Sequence, residues 1–120
     1  MDNPRRASLA MLCGYLYGLC KNNSPSVYDF AQSKYISFSL NNNNGYVIIH
    51  DYDRQCDIAG SFPSYFDYGV SQYITLTKMG GNGFNVFDYK HSSYLMVTVN
   101  HGNISIFDYK NSQYYNYSIN

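Results

Sequence analysis

The stretch Phe87-Asp88-Tyr89-Lys90-His91-Ser92-Ser93-Tyr94 is followed, 20 residues on, by Phe107-Asp108-Tyr109-Lys110-Asn111-Ser112-Gln113-Tyr114. The same pattern, aromatic-Asp-aromatic-x-x-Ser-x-Tyr, also runs from Phe66 to Tyr73 and from Tyr28 to Tyr35. A degenerate copy occupies His50-Asp51-Tyr52-Asp53-Arg54-Gln55-Cys56-Asp57. Self-similarity at fixed internal offsets means one supersecondary unit used repeatedly. Each unit reads as a β-hairpin: the aromatic-Asp-aromatic part ends one strand, x-x-Ser turns, and Tyr opens the next.

The second strands alternate cleanly. Ile36, Phe38 and Leu40 share one face, as do Ile74 and Leu76, then Leu95, Val97 and Val99. Ser and Thr fill the opposite face, the signature of half-buried antiparallel strands. The first strands are ambiguous: Val86 and Ile106 point one way, Phe87 and Phe107 the other, so both faces read as covered. Between units lie the Gly and Asn turns 41–45, 80–83 and 101–103, where positive φ is cheap. Upstream, Asn3-Pro4 reads as an N-cap followed by a pre-set φ. Leu9, Leu12, Cys13, Leu16 and Cys20 then share one stripe. The expected fold is mainly β within a single domain, 1–120. An amphipathic helix over about 4–21 precedes a meander of about eight to ten short strands over about 27–119. A meander of this size must curl into a barrel-like or sandwich-like sheet. The helix is expected to cover a mouth or an edge.

Composition narrows the function classes. The chain has 120 residues, 45% hydrophobic and 13% charged, the latter about half the usual share. Eight basic and eight acidic residues balance, so the basic excess of a nucleic-acid binder is missing. Fifteen tyrosines and no tryptophan give strand-favouring side chains with an apolar body and a polar tip. Three cysteines, Cys13, Cys20 and Cys56, lack the even count of a disulfide framework and the spacing of a zinc site. They read as reduced thiols of a cytoplasmic protein. The apolar run after Arg5 and Arg6 is too short to span a bilayer, and no small-x-small site follows it, so no export or membrane role is expected.

No catalytic constellation or cofactor motif is visible. His50, His91 and His101 show no metal-ligand spacing. Gly80-Gly81-Asn82-Gly83 is a turn between strands, not a phosphate loop at a helix start. Each repeat supplies a single carboxylate to its turn, too few for calcium. The repeated Asp and Ser read first as turn residues accepting backbone N–H bonds. Because all these turns lie at one end of the meander, Asp67, Tyr68, Asp88, Tyr89, Lys90, Asp108, Tyr109 and Lys110 are expected to form one rim that binds a partner. Tyr with Ser, Asn and Gly is the composition of adaptable protein-binding surfaces.

Tyr65-Phe66-Asp67-Tyr68-Gly69, Gly83 to Tyr89, and Phe107-Asp108-Tyr109-Lys110 through Tyr114-Tyr115-Asn116-Tyr117-Ser118-Ile119 resemble small bacterial immunity proteins. These accompany contact-dependent growth inhibition and other polymorphic toxin systems. The resemblance covers about residues 60–120. It implies a cytoplasmic, non-enzymatic inhibitor that binds one cognate toxin domain and blocks its active site or target-binding surface. No cofactor, metal, nucleic acid or membrane partner is expected. The alternative reading is a carbohydrate-binding or structural β-repeat module, since repeated aromatics also stack on sugar rings.

Overall fold

The computed structural model describes residues 1–119. One helix, α1 (Asn3–Leu16), precedes ten strands: β1 (Ser26–Asp29), β2 (Lys34–Asn43), β3 (Tyr46–Asp51), β4 (Cys56–Ser61) and β5 (Ser64–Asp67). These are followed by β6 (Gln72–Met79), β7 (Gly83–Asp88), β8 (Ser93–Asn100), β9 (Asn103–Asp108) and β10 (Gln113–Ile119). Every strand pairs antiparallel with its chain neighbours, and β1 pairs with β10, closing a ten-stranded barrel. Closure leaves no free edge: β10, the last strand, is paired on both sides.

The hairpins fold as the repeat predicts. In each full copy the first aromatic lies opposite the last Tyr: Tyr28 with Tyr35, Phe66 with Tyr73, Phe87 with Tyr94, Phe107 with Tyr114. The repeated Asp accepts backbone N–H bonds within its own turn, as Asp88 does from Lys90 and Asp108 from Lys110, each at 3.0 Å. The repeated Ser plays another part. Ser33, Ser71, Ser92 and Ser112 have φ between 50° and 55°, as does Gln55 at 58°. That left-handed residue returns the chain into the second strand.

The helix departs from its expected placement. A barrel of eight strands is filled by its own side chains, and ten strands leave room for more. Here α1 fills that room. Side chains of this single helix reach β3, β5, β7 and β9 around the ring, through Ser8, Arg5 and Arg6. Arg5 to Gly14 are buried without a break, so the helix has no solvent-facing side there. It lies in the lumen rather than over a mouth or edge. Asp2, not Asn3, is the N-cap, accepting from the Arg5 N–H at 3.0 Å, and the helix ends at Leu16. Leu9, Leu12 and Cys13 pack against inward residues such as Phe38, Ile49, Leu76, Val97 and Ile106 in one continuous core. Gly14 lets the helix approach the wall: a Cβ there would meet the Ile104 and Ile119 side chains.

Candidate functional site

Strand parity decides where the repeated aspartates point. Side chains two apart share a face. Val86 faces the core, so Asp88 does too, while Phe87 faces out. The same holds for Ile106 and Asp108, Tyr65 and Asp67, Ile49 and Asp51, and Val27 and Asp29. All five aspartates are at most 2% exposed and form a polar layer around the N-terminal half of α1. This resolves the two-sided first strands: Val86, Ile106 and the aspartates face in, and Phe87 and Phe107 face out.

Buried charges persist only when paired and hydrogen-bonded. Arg5 Nε donates to Asp67 Oδ2 at 3.0 Å, and its Nη1 and Nη2 donate to Asp88 at 3.1 and 3.2 Å. Arg6 Nη1 donates to Asp108 at 3.1 Å, and the Met1 amine lies 3.2 Å from the same oxygen. Arg54 closes the layer from the wall, donating to Asp67 Oδ1 at 2.7 Å and to the Ser8 hydroxyl, which itself donates to Asp51. Burial acts to raise the Asp88 carboxyl. Hydrogen bonds from Arg5 and His91, together with the Arg5 charge and the Lys90 N–H, outweigh it and hold the group below the usual carboxylate range. Burial likewise acts to lower Arg5, and the two carboxylates more than reverse it.

The eight residues expected on one rim therefore divide. Asp67, Asp88 and Asp108 are buried and bound to the helix guanidiniums, so they are not part of the accessible surface. Tyr68, Tyr89, Lys90, Tyr109 and Lys110 are exposed on three turns at the same end of the barrel. Two signals marked the difference: each Asp has the parity of a core residue, and Arg5 and Arg6 interrupt an otherwise apolar helix.

Outside, each full repeat builds an aromatic triad. Phe87 packs edge-on against Tyr89 at 4.8 Å and Tyr94 at 4.9 Å between ring centroids. Phe107 repeats this with Tyr109 and Tyr114, Phe66 with Tyr68 and Tyr73, and Tyr28 with Phe30 and Tyr35. In the degenerate copy His50 keeps the edge-on contact with Tyr52, at 4.8 Å between ring centroids, and its Nδ1 lies 2.7 Å from Asp57 Oδ1, at the position where full copies carry Tyr. The four Tyr that open second strands are 50–70% exposed, so the triads are partly sheet-stabilising and partly open surface.

Shallow clefts separate neighbouring triads. One, of about 460 Å³, is lined by Asn85, Ser93, Tyr94, Tyr109 and Lys110. Another, of about 290 Å³, is lined by Ser64, Gln72, Tyr73, Thr75 and Tyr89. Ser64, Gln72, Tyr73 and Tyr89 occupy the repeat positions of Asn85, Ser93, Tyr94 and Tyr109, so these are the same cleft in successive units. The expected rim did not include Tyr94, Asn85 and Ser93, because they lie on a different strand pair from the turn they face.

All three cysteines are free, and burial pushes the Cys13 thiol far up and the Cys20 thiol to about 11. Among the described residues no cluster of His, Cys, Asp and Glu is placed to hold a metal ion. Among the described residues no helix is long and apolar enough to cross a membrane. Comparison of the chain with protein-family models, curated proteins and solved structures finds no significant match.

Proposed function

We propose that this protein is an immunity-type inhibitor, acting in the cytoplasm, that binds one cognate bacterial toxin domain and covers its active site or target-binding surface. The observation that supports this reading is the outer wall at β7–β10. There the half-exposed rings of Tyr89, Tyr94 and Tyr109 stand beside Lys90 and Lys110 on two adjacent turns. The wall is held from behind by a helix-filled barrel. A surface held in its bound shape avoids much of the ordering cost of association. Tyrosine supplies large contact area at low entropy cost, and a few such anchors carry most of the energy of an interface.

The test is co-expression with the C-terminal domain of the protein encoded immediately upstream. Rescue of growth together with a stoichiometric complex is the expected outcome. The double substitution Tyr89→Ala and Tyr109→Ala should weaken the complex by at least about 30-fold, the scale of one hot-spot residue. Its circular dichroism should stay native, because both rings are half exposed. Neutralisation that survives with unchanged affinity removes the wall as the binding surface.

A second reading, a carbohydrate-binding module, is favoured by the recurrence of one cleft in successive repeats. It predicts several equivalent weak sites in an oligosaccharide titration, where the inhibitor reading predicts one tight protein site.

A further inference from the structure

The chain is neutral by composition, but its charges are not evenly divided between interior and surface. Five aspartates lie in the buried layer, against Arg5, Arg6 and the largely covered Arg54. Outside stand Asp2, Asp53 and Asp57, against Lys21, Lys34, Lys78, Lys90 and Lys110. Of those three carboxylates, Asp2 caps the helix, Asp53 pairs with Lys34 at 3.2 Å, and Asp57 pairs with His50. The surface is therefore basic, and it is so unevenly. Asp53 and Asp57 sit in or beside the β3–β4 hairpin, diametrically opposite β8 and β9 in the strand order. From β5 through β10 every carboxylate points inward, and Lys78, Lys90 and Lys110 have no ion-pair partner among the described residues.

One of those lysines lines the larger cleft and a second stands near it. Lys110 lines it beside Tyr109, with Tyr94 opposite, and Lys90 stands on the neighbouring turn. The cleft thus offers aromatic walls and a cation. We infer that the β7–β10 arc docks an acidic protein surface, with the cleft between Tyr94 and Tyr109 taking a carboxylate side chain beside Lys110. This rests on the inhibitor reading and names the chemistry of the partner: the toxin surface covered is acidic, unlike the basic surface of a nuclease that grips nucleic acid.

A protein carboxylate fits better than a phosphate polymer. Binding a polyanion takes many cations along its length, and the arc supplies two. Phosphate sites also use free backbone N–H groups, and those of Lys90 and Lys110 are taken by Asp88 and Asp108. A carboxylate needs only one or two donors. Charge placed on an interface rim acts mainly on the association rate and is screened by salt, with a Debye length of about 10 Å at 0.1 M.

The experiment is an amide-resonance titration of the labelled protein with hexaglutamate peptide, with hexalysine and trigalacturonate in parallel. Hexaglutamate should shift residues 89–94 and 109–114, hexalysine should shift neither, and binding should weaken several-fold between 50 and 300 mM salt. The variant Lys90→Glu/Lys110→Glu changes only exposed turn residues and should abolish the shifts without altering thermal unfolding. No hexaglutamate response on the arc, or a response undiminished in that variant, overturns the inference. Trigalacturonate binding there without hexaglutamate binding overturns it in favour of an acidic glycan.

The same variant should weaken a complex with the upstream toxin domain about tenfold or more at low salt. A complex that forms and ignores the variant overturns the acidic docking while leaving the inhibitor reading intact. No complex, with the peptide shifts present, overturns the inhibitor reading and keeps the acid-binding arc.

Discussion

Replacing Arg5 by methionine tests how the helix is held in the barrel. The substitution keeps length and packing but removes three hydrogen bonds, one to Asp67 and two to Asp88. Asp67 retains Arg54 at 2.7 Å and the Gly69 N–H, so its loss is partial. Asp88 keeps only His91 and the Lys90 N–H, and is fully buried. Removing one partner of a buried ion pair costs about 3–5 kcal/mol. Against a typical total of about 5–15 kcal/mol, that is a large fraction. With an unfolding entropy of about 2 cal/mol/K per residue, the melting temperature should fall by about 12–20 °C. The assay is thermal and urea unfolding followed by circular dichroism and tyrosine fluorescence.

The pH dependence provides a second readout. Asp88 is held below its ordinary pKa, so its contribution is fully present above the unfolded carboxylate value and is lost as pH falls through the lower folded one. The wild type therefore weakens in acid through this group. Arg5→Met has already lost most of what acid would remove, so the gap between the two should narrow from pH 7 to pH 4 and below. Adding Asp88→Asn to Arg5→Met should restore at least about 1 kcal/mol, because it removes the unpaired charge. A cost under about 1 kcal/mol at pH 7, or a gap that does not change with pH, would refute the reasoning.

Three further outcomes are expected. Ser112→Gly should raise the urea midpoint, by up to about 1 kcal/mol in stability, and Ser112→Val should lower it by about 1–2 kcal/mol, since φ is 55° there. Equal midpoints would show that the turn carries no left-handed strain. Gly14→Ala should destabilise by about 1–3 kcal/mol, read by the same unfolding curves, because its Cβ would push into Ile119 and come within 3.0 Å of Ile104 Cδ1. A neutral result would mean the helix slides freely in the lumen. At pH 8 a thiol reagent should leave Cys13 untouched in the native protein and modify all three cysteines in urea, because burial keeps Cys13 a neutral thiol. Rapid native labelling of Cys13 would contradict a packed lumen.

The repeat and its alternation were enough to read the hairpins, their turns and a strand count near ten, because those features are local. Facing pairs such as Phe87 and Tyr94 are set by turn length alone. The exposed half of the candidate surface, Tyr68, Tyr89, Lys90, Tyr109 and Lys110, was legible for the same reason. Its buried half was not. Asp67, Asp88 and Asp108 were read as turn residues on an open rim, and they do make those turn bonds, but each also binds a helix cation 62–102 residues away. The cleft residues Asn85, Ser93 and Tyr94 join Tyr109 only because β8 and β9 lie side by side.

What the sequence determined by itself is the unit: a two-residue period and a short turn that closes on a serine, repeated until the strands must curl. What only the tertiary structure decided is the use of the inside. Periodicity tells which side chains share a face but not what that face encloses. An apolar stripe with two arginines looks the same whether the helix lies against a wall or within a ring. Closure of ten strands opened a lumen that strand side chains alone could not fill, and α1 entered it. Arg5 and Arg6 went with it because the inward aspartates replaced the water they lost. The same closure left the lysines outside with few acids to balance them, giving a neutral chain a basic face.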